Sequence, residues 1–129
     1  MGLVYARVSL ANARKPELAP IEVDALADTG ALHLCIPEHI AIQLQLDEQE
    51  KREITIADGS KRFVSYVGPI TIAFANRRCF TGAMVLGNEA LLGAIPMEDM
   101  DLVVLPGTRK VAVNPANPNF ATSVAKGAR

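Results

Sequence analysis

The acid whose setting best suits it for chemistry is Asp28, within Ala27-Asp28-Thr29-Gly30-Ala31. An alternating stretch over residues 21–27 (Ile-Glu-Val-Asp-Ala-Leu-Ala) delivers it onto a turn of small residues. Such a turn lifts a carboxylate clear of a strand end, where it can take or give a proton in general acid–base work. Thr29 can hold the loop through its hydroxyl. Gly30 has no Cβ and lets backbone or ligand approach closely. The triplet alone is weak evidence, because average residue usage yields Asp-Ser/Thr-Gly by chance in about 5% of chains this long.

Other residue types capable of chemistry lack a supporting pattern. His33, Cys35 and His39 raise a metal site, but the first two lie two apart on an expected strand and His39 falls in the helix that follows. No fourth ligand is near, whereas a structural zinc site uses four; no metal and no cofactor are expected. The sequence has no Gly-x-x-x-x-Gly-Lys-Ser/Thr run for phosphates. Ser9, Ser60, Ser65 and Ser123 lack the setting of a nucleophile elbow. Lys51-Arg52 and Arg77-Arg78 read as solvated charge pairs at strand or turn ends. Met84, Met97 and Met100 read as core or interface filler.

The elements that must position Asp28 are mostly strands, since period-two alternation and β-branched residues dominate. Strands are expected over 2–10, 21–27, 32–36, 51–57, 61–67, 69–75 and 79–86, with a final hairpin over 101–105 and 110–114 that turns at Pro106-Gly107. Pro37 opens an expected helix over 37–44, as proline suits a first helical position. A helical turn is expected over 96–100. Asp58-Gly59 is a strong hairpin signal, both residues accepting positive φ. Many short strands with one or two short helices favour an all-β fold, a small closed or nearly closed barrel. One domain over 1–114 is expected, followed by a loose tail over 115–129 rich in Asn, Ala and Pro.

Composition narrows the function classes. The chain has 129 residues, 13 Lys+Arg against 14 Asp+Glu, and a formal net charge of −1, without the cationic excess that nucleic acid requires. Half the residues are hydrophobic and 21% charged, which argues for a folded core. No apolar run approaches the ~18–20 residues of a membrane span, so no membrane partner is expected. Aromatic residues are 5% and Trp is absent, which disfavours stacking platforms for bases or sugars. Cys35 and Cys79 could form one disulfide, but their apolar, strand-like surroundings read better as packed thiols in a reducing compartment. The N-terminus carries no secretory pattern, and Ala6 stands where a myristoylation signal wants Ser or Thr. A cytoplasmic location is expected.

Three further features surround Asp28 in an informative order: a hairpin tip at Ala57-Asp58-Gly59-Ser60, the element Leu91-Leu92-Gly93, and the helical patch at 96–100. Together they resemble the single-domain, retropepsin-like aspartic proteases, in particular the bacterial and cellular branch, over about residues 20–114. The resemblance is carried furthest by residues 91–102 followed by Val111-Ala112-Val113-Asn114-Pro115. It implies a retropepsin-like acid protease fold with Asp28 as the catalytic carboxylate. Thr29 would tie two active-site loops together across a dimer axis, Gly30 would contact bound peptide, and Ala31 would complete the loop. Residues 57–60 would be a flap over substrate, and Leu91, Leu92 and Gly93 would support the Asp28 loop. In the viral branch an Asp follows the alanine of the first motif and an Arg follows the glycine of the second; here these are Leu32 and Ala94, so neither partner of that ion pair is left alone.

The chemistry implied needs two carboxylates that share a proton, one acting as base toward water and the other as acid toward the carbonyl oxygen. The chain carries a single Asp-Thr-Gly and no second Asp-Ser/Thr-Gly. The expectation is therefore a homodimeric endopeptidase acting on a peptide or protein substrate, each subunit giving one Asp28. A catalytically silent peptide-binding or dimerisation module on the same fold is the alternative.

Overall fold

The computed structural model describes residues 2–105 and 107–127. Pro106 of the expected last turn and residues 128–129 of the tail lie outside the described residues. The elements in chain order are β1 (Tyr5–Asn12), β2 (Ile21–Ala27), β3 (Leu34–Ile36), α1 (Glu38–Gln43), β4 (Asp47–Thr55), β5 (Lys61–Phe74), β6 (Arg77–Val85), β7 (Leu91–Leu92), α2 (Ala94–Asp99), β8 (Leu102–Leu105) and β9 (Lys110–Val113).

Alternation sets which face each strand buries. In β1, Ala6, Val8 and Leu10 point inward while Tyr5 and Arg7 face out. β1 pairs antiparallel with β2, from Tyr5 opposite Leu26 to Leu10 opposite Ile21. The sheet order β1-β2-β7-β3-β6-β5 closes on itself because β5 also pairs with β1, Ile72 standing opposite Leu10. The result is a six-stranded barrel of mixed direction, since β2–β7 and β3–β6 are parallel. Closure removes free sheet edges around the ring. β4 stands outside it as the outer arm of a long hairpin on β5, and β8 and β9 form a separate two-stranded sheet. Leu10, Ile36, Ile70, Ile72, Ala83 and Leu92 fill the barrel core.

Asn12 joins the barrel to α1. Its buried amide donates to the carbonyls of Leu44 and Gln45 at 2.8 and 3.2 Å, while its oxygen accepts from the N–H groups of Arg14 and Lys15. Buried polar groups persist where their hydrogen bonds are made, and here they are.

The structure differs from the sequence expectations at several points. The strands expected over 61–67 and 69–75 are one continuous β5. Gly68 is the last β5 residue paired with β4 and Ile70 the first paired with β1, and the register against β6 shifts between Val67 and Ile70. Pro69 stands where the ladder is already interrupted, so its missing N–H breaks no strand pair. At the hairpin tip the pairing stops at Thr55–Lys61, and only Gly59 of the Asp58-Gly59 pair takes positive φ, +87°. The Gly59 N–H reaches the Ile56 carbonyl at 2.8 Å, giving a longer loop than a two-residue turn.

Arg77 is the largest departure. Expected in solvent, it is 2% exposed, and its guanidinium donates to the Asn117 carbonyl. Arg52 also leaves solvent in part, its guanidinium lying 3.7 Å from the centroid of the Tyr66 ring. Beyond Val113 the chain is fastened to the domain as far as Thr122. Asn76 donates to the carbonyls of Pro118 and Asn119, and the Asp101 carboxylate accepts from Asn114, Asn117 and the Thr122 N–H. No helix among the described residues is long and apolar enough to cross a membrane.

Candidate active site

Asp28 follows the last residue of β2, where the pairing with β7 has just ended. Ala27 stands opposite Leu92 in parallel register, and the Asp28 N–H donates to the Leu92 carbonyl at 3.0 Å. The chain then turns tightly. The Gly30 N–H donates to Asp28 Oδ1 at 2.9 Å, and the Ala31 N–H donates to the Asp28 carbonyl at 3.1 Å. One carboxylate oxygen is thereby held by the loop's own backbone, while the group itself is exposed at the barrel mouth.

The Leu91-Leu92-Gly93 element lies directly against this loop. Leu91 pairs with Leu26 on one side and Cys35 on the other, and Leu92 is fully buried beneath. A Cβ on Gly93 would lie 2.5 Å from the His33 carbonyl oxygen and 2.6 Å from the Leu32 carbonyl carbon, so glycine alone allows this approach. Just past it, the N–H groups of Ala94 and Ile95 donate to the carbonyls of Ala31 and Leu32 at 2.8 and 2.9 Å. The first turn of α2 is thus stitched to the far side of the Asp28 loop.

Asp28 borders two cavities. The larger, about 630 Å³, runs from Asp28, Gly30 and Ala31 to the wall formed by Met84, Leu86 and Leu91. Its roof is the β4 end of the hairpin, Ile54 to Ala57. The second, about 540 Å³, opens on the other side between Asp28 and Thr29, the α2 residues Met97 and Glu98, and the β8 residues Leu102 and Val104.

Of the expected flap residues, Ala57 reaches the first cavity, while Asp58, Gly59 and Ser60 form the exposed tip beyond it. The Ser60 hydroxyl and its N–H hold the Asp58 carboxyl below the usual carboxylate range. Leu92 and Gly93 lie against the loop and line neither cavity, whereas Leu91 lines the first.

His33 and Cys35, set aside in the sequence as a metal pair, both line the first cavity. His33 meets Tyr66 edge-on at 6.3 Å, and partial burial, helped by the Arg52 charge, lowers its pKa and favours the neutral imidazole. Burial pushes the Cys35 thiol up. Both cysteines are free thiols; Cys79, buried beside Asp99, is pushed up to about 12. His39 is exposed on α1, and among the described residues no group of three or more His, Cys, Asp or Glu is placed to hold a metal ion.

The sequence reading missed Ile54, Ile56, Met84 and Leu86 as cavity walls, and Met97 and Glu98 beside Asp28. The alternation in 51–57 marks one inward face of β4 but not what that face covers.

No protein-family model matches the sequence, and no curated protein matches it. Solved structures do. The retroviral protease-like domain of Ddi1 from Leishmania major superposes with a TM-score of 0.60 at 13% identity, covering 89% of this chain and 90% of that one. A retropepsin-like aspartic protease from Rickettsia conorii gives a TM-score of 0.54 at 12% identity, covering 81% and 84%. The chain has the retropepsin-like fold and is structurally similar to retropepsin-like aspartic proteases.

Proposed function

We propose that the chain is an aspartic endopeptidase that works as a homodimer, with one Asp28 from each subunit in a shared site. The observation that supports this most is the setting of Asp28. Its carboxylate is held through the Gly30 N–H at the mouth of a cleft roofed by a hairpin, on a fold structurally similar to aspartic proteases.

The chemistry follows from placing two such carboxylates together. They cannot both ionise, so they share a proton and titrate as a pair. The ionised member takes a proton from a water molecule, which attacks the peptide carbonyl carbon. The protonated member gives its proton to the carbonyl oxygen, and the tetrahedral species collapses with protonation of the leaving nitrogen. No covalent intermediate forms. The cavity beside Thr29, Met97 and Leu102 offers a place for the second copy, bringing its loop against the exposed side of Asp28. A reducing, cytoplasmic location suits the two free thiols.

Asp28→Asn tests the assignment. Cleavage of a denatured protein substrate should fall by at least about 10³-fold, with the fold retained by circular dichroism. Cleavage at the wild-type rate overturns the catalytic role. A wild-type dimer that binds extended peptides and cuts none favours the silent module.

A further inference from the structure

The cleft does not end at the roofed cavity. Cys35, Leu86 and Leu91 are shared with a further cavity of about 280 Å³, whose remaining walls are Gly87, Asn88 and Glu89. A chain lying across Asp28 and under Ile54–Ala57 would therefore pass one side chain over an apolar wall that ends at Glu89.

That residue stands on an anchored loop. The loop carrying it turns at Gly87, φ +78°, between two anchored residues: the Leu86 N–H donates to the Ile36 carbonyl, and the Ala90 carbonyl accepts from the Leu26 N–H, both at 2.9 Å. The Tyr5 hydroxyl on β1, beyond β2, donates to Glu89 Oε1 at 3.1 Å. Oε2 is left for a second donor. Glu89 is exposed, so its charge is hydrated and available.

Among the described residues no lysine or arginine lines either cavity. Of the Lys, Arg, Asp and Glu side chains among the described residues, those that line this length of cleft are Asp28 and Glu89, both acidic. Arg52, the nearest cation to the His33 corner, is engaged by Glu50 at 2.6 Å and stacked on Tyr66. A long side chain with an apolar stem and a cationic head complements such a surface: the methylenes cover Cys35, Leu86 and Leu91 and the head meets Oε2.

We propose that Glu89 is a specificity-determining residue that selects lysine or arginine at one position of the peptide occupying the cleft. This rests on the proteolytic reading above, and the test separates the two.

Lysine and glutamine are scanned through each position of an otherwise neutral peptide, and kcat/KM is measured for each pair. At one position lysine should be preferred by about fivefold, the scale of a solvent-exposed ion pair, and the preference should shrink at high salt. Glu89→Gln should remove it, and Glu89→Lys should reverse it in favour of a glutamate at that position. Tyr5→Phe should weaken it without abolishing it. The same peptide pair is titrated against Asp28→Asn, with and without Glu89→Gln, by fluorescence anisotropy. Equal cleavage of lysine and glutamine peptides at every position, or a preference that survives Glu89→Gln, overturns the subsite and leaves the protease reading intact. A Glu89-dependent binding preference without cleavage by wild type keeps the subsite and overturns the protease reading. Absence of both binding and cleavage overturns both.

Discussion

The floor and the roof of the cleft are built on opposite principles. The floor is the Asp28 loop wedged against Leu91-Leu92-Gly93 and the start of α2, where backbone meets backbone across three hydrogen bonds and a Cβ has no room. The roof is the β4–β5 hairpin, which leaves the barrel with one paired edge and an exposed tip; around Gly59 an added Cβ would meet nothing within 4 Å. A carboxylate asked to meet a second one needs a fixed position. A cover that admits an extended chain needs to move, and few buried contacts make such motion accessible.

The largest break in this contrast is Gly93→Ala. Its Cβ would collide with the Leu32–His33 backbone, which cannot yield without moving the Asp28 loop, so a loss of about 3 kcal/mol is expected by chemical denaturation. Gly82→Ala sharpens the point. Its Cβ would also be crowded, at 2.4 Å, but the obstacle is the Tyr66 ring, which can swing aside. The expected cost is about 1–2 kcal/mol, with a shift of the His33 ring resonances as the edge contact to Tyr66 is lost. Gly59→Ala meets no obstacle and should cost only the left-handed backbone, about 1 kcal/mol.

The last difference shows only in acid. Asp101, where α2 meets β8, is held below the ordinary carboxylate range by Asn114, Asn117 and the Thr122 N–H. Asp58 in the roof is depressed by Ser60, two residues away, and by its own backbone N–H. A depressed carboxylate contributes stability that is complete above its unfolded pKa, about 4, and is lost as pH falls through the lower folded value. Acidification through that window should release the Thr122 amide to hydrogen exchange, and Asp101→Asn should make its exchange protection independent of that window.

Much of the floor was legible in the sequence because its signals are local. An alternating strand, a turn of small residues and a glycine after two leucines each carry their meaning within a few positions. The pairing that unites them is different. β7 has two residues and no period to read; resemblance alone set it against the Asp28 loop, and its pairing between β2 and β3 was not legible. The rest depends on distant partners. Arg77 looks like a surface charge until the Asn117 carbonyl, forty residues on, arrives beside it. The break expected at Pro69 disappears because β5 exchanges one partner strand for another at that residue. His33, Ile56 and Leu86 come to line one cavity only once the barrel has closed.

The central claim, that one site needs two copies of Asp28, is tested most directly by mixing. A fixed amount of wild type is co-refolded with a threefold excess of Asp28→Asn, at concentrations where the dimer is saturated, and peptide cleavage is measured. If the two carboxylates act together, only wild-type subunits paired with each other cut, and activity should fall to about a quarter. Activity unchanged by the inactive subunit would show that one Asp28 suffices and would contradict the account.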